Sequence, residues 1–314
     1  MMTLEKMKDA LGTVSIPEPA ADDPIVLDES ANLNLIAWGD PQISFISPLR
    51  SARITGACRD LENMKGKADA LLLLGDICEY GKRVEFEMAA DIFGSVSDKF
   101  SNLIAVSGNH DIRVRHYHSQ LERFNSFLKS VPGGVPGNDK RYFFTHEINS
   151  YKFIMMGADR SSFESSYIGR KQLEKLDKEI AACNGKPVFV LNHQTLKRMN
   201  GLPTTWLGKG QWRGSVGKQS DEIKAIFEKY KNVFFITGHL HYGVSKYNYE
   251  DYGAFKAISL PTIGVINHGK NSTDGQGYII SVYDDKVVLR ARYFADGKYM
   301  GADIENSYVE IPLD

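Results

Sequence analysis

The stretch "NVFFITGHLHYG", residues 232–243, decides how this chain folds. Its short apolar run, Val233 to Thr237, is bounded by Asn232 and Gly238 and reads as a buried strand. Just beyond it stand two imidazoles, His239 and His241, separated by Leu240. Working outward, four earlier runs repeat the design. "LNLIAW" (33–38) is followed by Asp40 and Gln42, "ALLLLG" (70–75) by Asp76 and Glu79, "NLIAVSG" (102–108) by Asn109, His110 and Asp111, and "PVFVLN" (187–192) by His193. A single aspartate after a strand is commonly a turn or helix cap. Four of the chain's eight histidines fall just past a strand end, however, and one shared site explains all five ends at once. In α/β folds ligands bind beyond the carboxyl ends of strands, where loops converge over a rigid sheet.

Between these runs lie segments with helical spacing: "VEFEMAADIFGSVSDKF", "HSQLERFNSFLKS", "GRKQLEKLDKEIAAC" and "KQSDEIKAIFEKYK". The alternation predicts βαβ units and a sheet covered on both faces. "FKAISL", "GYIISVYDD", "KVVLRARYF" and "YVEIPL" then follow with only turns between them, so the chain is expected to finish in antiparallel strands. The class is α/β, with a mixed sheet or two sheets packed together. Residues 1–32 include the proline-rich, acidic "SIPEPAADDPIVLDES" and read as an N-terminal extension laid over the surface, with the folded domain spanning 33–314. "SVPGGVPGNDKRY" is a loop before a predicted hairpin, "RYFFTHEINSYKFIMMGA", and a second glycine-rich loop covers 201–218. Within it "GSVGKQS" lacks the leading glycine and the closing Ser/Thr of a P-loop.

At 314 residues, 42% hydrophobic and 25% charged, the chain has the composition of a globular α/β protein with a large core. Its 38 Lys+Arg against 39 Asp+Glu leave no global field to attract nucleic acid or an anionic membrane. The longest apolar stretch is about a third of a membrane span. "MMTLEKMKDALG" lacks the apolar core of a signal peptide, so a cytoplasmic location is expected. Cys58, Cys78 and Cys183 show no C-x-x-C spacing and read as buried free thiols.

Carboxylate, amide and imidazole donors without thiolate suit Mn, Fe, Zn, Co or Ni better than calcium or magnesium. About eight donor positions exceed what one ion uses, so two divalent ions sharing a ligand are predicted. The ordered set "GDPQ", "GDICEYG", "GNHD", "NHQ" and "GHLH", spanning residues 40–241, resembles the calcineurin-like metallophosphoesterase superfamily. That family's pattern runs D-x-H, G-D-x-x-x-x-G, G-N-H-D/E, a single His, then G-H-x-H. "SSYIGRKQLEKLDKEIAA" also resembles the helix before the fourth block in the cyclic nucleotide phosphodiesterase and purple acid phosphatase branches. The resemblance implies a four-layer α-β-β-α sandwich of two mixed β-sheets flanked by helices. It implies one metal held by Asp40, Gln42, Asp76 and His241, and a second by Asp76, Asn109, His193 and His239, with Asp76 bridging. The two histidines around Leu240 then serve different ions. It further implies that His110 protonates the leaving alkoxide and that Glu79 orients it. The activity implied is hydrolysis of a phosphodiester, cyclic nucleotides included, or of a small phosphomonoester, by a hydroxide bridging the ions.

Two departures from the pattern matter. Gln42 stands where most members have histidine; an amide oxygen is a harder donor, which favours Mn or Fe over Zn. Tyr80 stands where the protein serine/threonine phosphatases carry a phosphate-gripping arginine, and "GNHD" differs from their G-N-H-E, which argues against that activity. His116 and His118 read as solvated or rim residues rather than a metal pair. Arg113 and Arg115 are candidates for phosphate contact, and His268 reads as structural. Trp206 and Trp212 read as loop anchors or as rings for stacking a nucleoside. A nuclease of this superfamily would need a long basic groove, and a non-catalytic scaffold would have lost donors, whereas every donor position here holds a capable residue. The expected partner is a small phosphate ester, with neither nucleic acid nor membrane; the loops at 112–140 and 195–219 that would select it carry no pattern naming a base, sugar or lipid.

Overall fold

A computed structural model of the chain describes residues 2–114, 116–137, 143–161, 163–202, 214–265 and 275–314. In chain order its elements are α1 (Leu4–Leu11), β1 (Leu33–Trp38), α2 (Pro48–Glu62), β2 (Ala68–Leu74), α3 (Arg83–Gly94), β3 (Phe100–Val106), α4 (Asn109–Ile112), α5 (Tyr117–Ser130), β4 (Phe144–Ile148), β5 (Tyr151–Met155), α6 (Arg170–Ala181), β6 (Val188–Leu191), α7 (Ser220–Phe227), β7 (Val233–Thr237), β8 (Tyr249–Asp251), β9 (Phe255–Ser259), β10 (Gln276–Val282), β11 (Lys286–Tyr293), β12 (Lys298–Tyr299) and β13 (Tyr308–Pro312). The five runs read from the sequence are β1, β2, β3, β6 and β7.

Two mixed sheets result. The first has the order β12-β11-β10-β1-β2-β3, with β13 also paired to β11; β1, β2 and β3 run parallel and the C-terminal strands join antiparallel. The second has the order β4-β5-β6-β7-β9-β8, parallel from β5 to β9 with an antiparallel strand at each edge. Alternation along β6 and β7 shows how the layers stack. Phe189, Leu191, Phe234 and Ile236 face a core shared with Leu35, Ala70 and Leu72 of the first sheet. Val188, Val190, Val233 and Phe235 face the other way, onto Leu173, Leu176 and Ile180 of α6 and Ile223 and Phe227 of α7. Helices α2, α3 and α5 cover the outside of the first sheet through Ile54, Leu61, Phe86, Phe93, Phe124 and Phe127. The chain is the four-layer α-β-β-α sandwich, and strands buried on both faces explain why they read as continuous apolar runs.

Three elements differ from the sequence reading. "FKAISL" does not join the terminal antiparallel strands: β9 lies parallel to β7 in the second sheet. Helix α2 shows no clean apolar stripe because its buried face is built from small and polar residues, Ser51, Ala52, Gly56, Ala57 and Asp60 among them. Helix α1, within the N-terminal extension, buries Met7 and packs on α2 and α3. After it the proline-rich stretch packs back on the rest of the chain, with Ile25 buried, Pro17 against Gly56, the Ala20 N–H donating to the Asp296 carbonyl at 2.8 Å, and Val26 bridging to Lys65. Cys58 and Cys78 are buried free thiols, and Cys183 is half-buried. Among the described residues no helix is long and apolar enough to cross a membrane.

A buried ion pair staples this extension to both neighbours. Arg292 on β11, fully buried, donates Nε and Nη2 to the Asp60 carboxylate of α2 at 2.7 and 2.8 Å, and Nη2 also to the Asp23 carbonyl at 2.7 Å. Burial pushes the Asp60 carboxyl up, and the guanidinium opposes that shift. Removing one partner strands the other charge in the core. Arg292→Met is therefore expected to cost about 3–5 kcal/mol in urea denaturation, and adding Asp60→Leu to recover most of it. A single variant as stable as the parent would show that the pair holds nothing.

Candidate metal centre

The carboxyl ends of β1, β2 and β3 from one sheet and of β6 and β7 from the other open on one side of the sandwich. There the backbone turns back sharply. Asp40, Gln42, Asp76, His239 and His241 all have positive φ, between 41° and 71°. Left-handed backbone at non-glycine residues costs on the order of 1–3 kcal/mol each and persists only where the surroundings enforce it. Here it aims donors from successive loops at one point.

Asp76 is the meeting place. Its Oδ2 lies 3.2 Å from His193 Nε2 and 3.4 Å from Gln42 Nε2, and its Oδ1 accepts the His110 backbone N–H at 2.8 Å. Asp40 accepts the His239 backbone N–H at 2.9 Å, and its Oδ1 lies 3.0 Å from His241 Nε2. His239 Nδ1 is 3.1 Å from His193 Nε2. Two buried groups emerge whose donor atoms fall within 4.8 Å of one another: Asp76, His193 and His239, and Asp40, Asp76 and His241. They share Asp76, and His239 and His241 fall in different groups. Asn109 is buried beside them, one residue before His110. The Gln42 amide turns its nitrogen toward Asp76; coordination would use Oε1, which a half-turn of the amide brings to the same place.

The donor set fits divalent ions. His193 Nδ1 donates to the Leu74 carbonyl at 2.6 Å, which turns Nε2 toward the cluster, where a metal ion would replace its proton. Burial alone would raise Asp76, but the imidazoles of His193, His110 and His239 hold it well below the usual carboxylate range. Burial disfavours a charged His193, yet Asp76 and Asp40 lift it to about 9. Burial and the neighbouring His193 drive His239 well below its ordinary value. The two carboxylates load a proton onto His193, and burial together with that charged neighbour keeps His239 neutral, so positive charge is drawn to the midpoint of the carboxylates.

His110 borders the cluster, its Nε2 3.9 Å from Asp76 Oδ2. Its Nδ1 lies 2.9 Å from the Glu79 backbone carbonyl and 3.5 Å from Glu79 Oε1, so Glu79 meets it chiefly through the main chain. The Glu79 carboxylate itself pairs with Arg50 at the start of α2. Burial works against a charged His110, but Asp76 and Glu79 raise it to about 9. Arg113 sits against the same Nδ1 at 3.0 Å and pairs with Glu164 at 3.1 Å, so its guanidinium is already engaged rather than open to a phosphate.

Three residues support the cluster without entering it, and of these only Asp111 is named in the sequence reading, as a candidate donor. Asp111 belongs to the third block, but its carboxylate accepts the backbone N–H groups of Gly108 (2.9 Å), Cys78 (2.9 Å) and Ile77 (3.2 Å), clasping two site loops together. Gln194 donates to Asn109 Oδ1 at 3.3 Å and to the Glu164 carbonyl at 3.4 Å. Glu85, in the first turn of α3, accepts from the backbone of Tyr80 (3.0 Å), Lys82 (3.1 Å) and Phe45 (3.4 Å). Only the position of Glu85 in the helix's first turn was a readable signal. His116 and His118 are exposed around the start of α5, away from both donor groups. Arg115, Trp206, Trp212 and His268 lie outside the described residues.

A family model, calcineurin-like phosphoesterase, matches residues 39–243, more than half of the chain and the whole span of the donor residues. The chain belongs to this family. Among solved structures, a purple acid phosphatase from yellow lupin (Lupinus luteus) seeds is similar over 90% of this chain and 54% of its own, at 14% identity and a TM-score of 0.59. A Staphylococcus aureus protein assigned as a 5'-nucleotidase is similar over 89% of this chain and 54% of its own, at 12% identity and a TM-score of 0.48. The chain spans about half the length of either protein. At such identities the lupin likeness is one of fold, and the staphylococcal one adds nothing to it. No curated protein sequence matches the chain.

In this calcineurin-like phosphoesterase the Glu85 clasp has a pH signature. Burial pushes its carboxyl up to about 7 from 4.5, against the pull of the backbone donors. The folded protein thus keeps a proton that the unfolded chain releases above about 4.5. Its stabilising effect is full below that pH and is lost as the pH rises through 7, on the order of 2–3 kcal/mol in all. Glu85→Gln, neutral throughout, is expected to flatten that part of the stability profile between pH 5 and 8, measured by denaturation. A profile with the same slope in both proteins would refute the assignment.

Proposed function

We propose that this calcineurin-like phosphoesterase is a two-metal phosphohydrolase that cleaves a phosphodiester, cyclic nucleotides included, or a small phosphomonoester. The observation that carries the reading is the pair of buried donor groups sharing one carboxylate, Asp76, at the converging strand ends. Asp40, Gln42, Asp76 and His241 would hold one ion, and Asp76, Asn109, His193 and His239 the other. Ions bound there supply Lewis-acid activation of water and of the phosphate oxygens.

The chain's own residues do the rest. Asp40 and Asp76 set the charge of the site, His239 presents a neutral nitrogen to it, and His193 would do so once an ion displaces its Nε2 proton. His110, with Nδ1 held at the Glu79 carbonyl, keeps Nε2 toward the cluster, where it would protonate the departing oxygen. Gln42 contributes a hard amide oxygen where an imidazole would favour zinc, which supports Mn or Fe in that position.

Hydrolysis of bis(p-nitrophenyl) phosphate and p-nitrophenyl phosphate in Mn²⁺, side by side, tests the reading. We expect turnover that falls at least a thousandfold in Asp76→Asn, since the shared ligand serves both ions. A faster diester reaction identifies a phosphodiesterase and a faster monoester reaction a phosphatase. Activity surviving in Asp76→Asn, or absent from metal-replete protein on both esters and on cyclic nucleotides, would overturn the reading. Separately, Gln42→His is expected to raise zinc affinity relative to manganese about tenfold in competition titrations; an unchanged ratio would remove Gln42 as the selector.

A further inference from the structure

On the far side of Arg113 from His110 an aromatic ring stands in solvent. Phe163 is 73% exposed, the most exposed large hydrophobic side chain among the described residues. Single exposed apolar residues are ordinary on protein surfaces. This one is tied to the reacting centre. The Arg113 guanidinium carbon lies 5.0 Å from its ring centroid, and the same guanidinium lies 3.0 Å from His110 Nδ1. The next residue, Glu164, is fixed twice, its carboxylate by Arg113 at 3.1 Å and its carbonyl by Gln194 at 3.4 Å. Gln194 in turn holds Asn109 and follows His193. The ring is therefore carried by a segment pinned to the donor cluster, while its own face remains open.

We propose that Phe163, backed by Arg113, forms a subsite for a planar aromatic group on the leaving side of the phosphate ester. The inference rests on the phosphohydrolase reading for which bond is cleaved, but the ring's preference for flat ligands stands on the geometry alone. His110 would protonate the departing oxygen from Nε2, so whatever that oxygen carries lies against His110, whose other nitrogen, Nδ1, meets Arg113 and through it Phe163. Arg113 occupies one face of the ring, and the opposite face offers a surface on which a nucleobase or aryl group stacks without hydrogen-bond demands. Glu164 keeps Arg113 under the ring and away from the phosphate, which makes Arg113 a positioning residue.

The experiment is calorimetric binding of three unreactive ligands to the full chain loaded with Mn²⁺: phenylphosphonate, an adenosine phosphonate and butylphosphonate. We expect an aromatic ligand to bind about tenfold tighter than the butyl ligand, with Phe163→Ala bringing the ratio close to one and Phe163→Trp preserving it. Preference for the phenyl ligand alone assigns an aryl ester, and preference for the adenosine ligand a nucleotide. Equal affinities in the parent, no binding, or a preference that survives Phe163→Ala would overturn the subsite. Turnover of bis(p-nitrophenyl) phosphate, p-nitrophenyl phosphate or cyclic nucleotides by the same preparations reads the hydrolase assignment independently. Aromatic preference without turnover would sink that assignment and leave the subsite standing, and turnover without preference would do the reverse.

Discussion

The structure depends on one carboxylate at the end of one strand. Asp76 follows β2, which lies between β1 and β3 in the first sheet, and it gathers Gln42 from beyond β1, the His110 backbone from beyond β3 and His193 from beyond β6 of the second sheet. Three strand ends of one sheet and one of the other are thus fixed against the same two oxygens. Close approach follows directly. A Cβ at Gly108 would fall on the Asp76 carboxylate, and one at Gly75 on the His193 ring. The glycines of "GNHD" and "GDICEYG" are the space the cluster needs, while Gly75 also supplies a left-handed turn at φ 86°.

Such a cluster opposes folding locally. Five donors sit in left-handed backbone, and two carboxylates are buried within reach of one another's ligands. The opposing stabilisation comes from groups that never enter the cluster. Asp111 and Glu85 each gather three backbone N–H groups from neighbouring loops, so that loops which would otherwise relax are cross-linked by buried acceptors. Strands buried on both faces supply the rigid floor. Rigid support and strained donors are two sides of the same design, because an ion bound there finds its ligands already placed and little ordering remains to oppose binding.

The sequence made the floor and the donors legible for related reasons. A doubly buried strand must be apolar throughout, and a donor that serves a site beyond its end must be one of few residue types, so both leave marks in residue identity. What stayed hidden depends on pairing. β9 carries the same alternation whether it joins β7 or β10, and only the three-dimensional partner decides. The buried face of α2 is made of small and polar residues suited to Pro17 and Arg292, neither of which is its neighbour in sequence. Asp111 looks like one more ligand because a carboxylate that clasps backbone is spelled the same way as one that binds metal. Glu79 was expected to steady His110 with its carboxylate; it meets His110 both through that carboxylate, at 3.5 Å, and through its carbonyl, at 2.9 Å, and only the second contact is one that leaves no mark in residue identity.

The same contrast separates chemistry from selection. Every donor atom of the cluster is held by a strand end, a glycine approach or a buried acceptor, so changes there are felt at once by several loops. The rim residues have fewer obligations: Phe163 and Val114 are exposed, and among the described residues the Arg113–Glu164 pair touches the cluster only through His110 Nδ1 and Gln194. On the proposed reading, a substitution at the rim would alter which group can lie beside His110 without disturbing the backbone that fixes Asp76. A fold built this way can keep one reaction while its substrates change, because the residues that would have to vary are not the ones on which the structure depends.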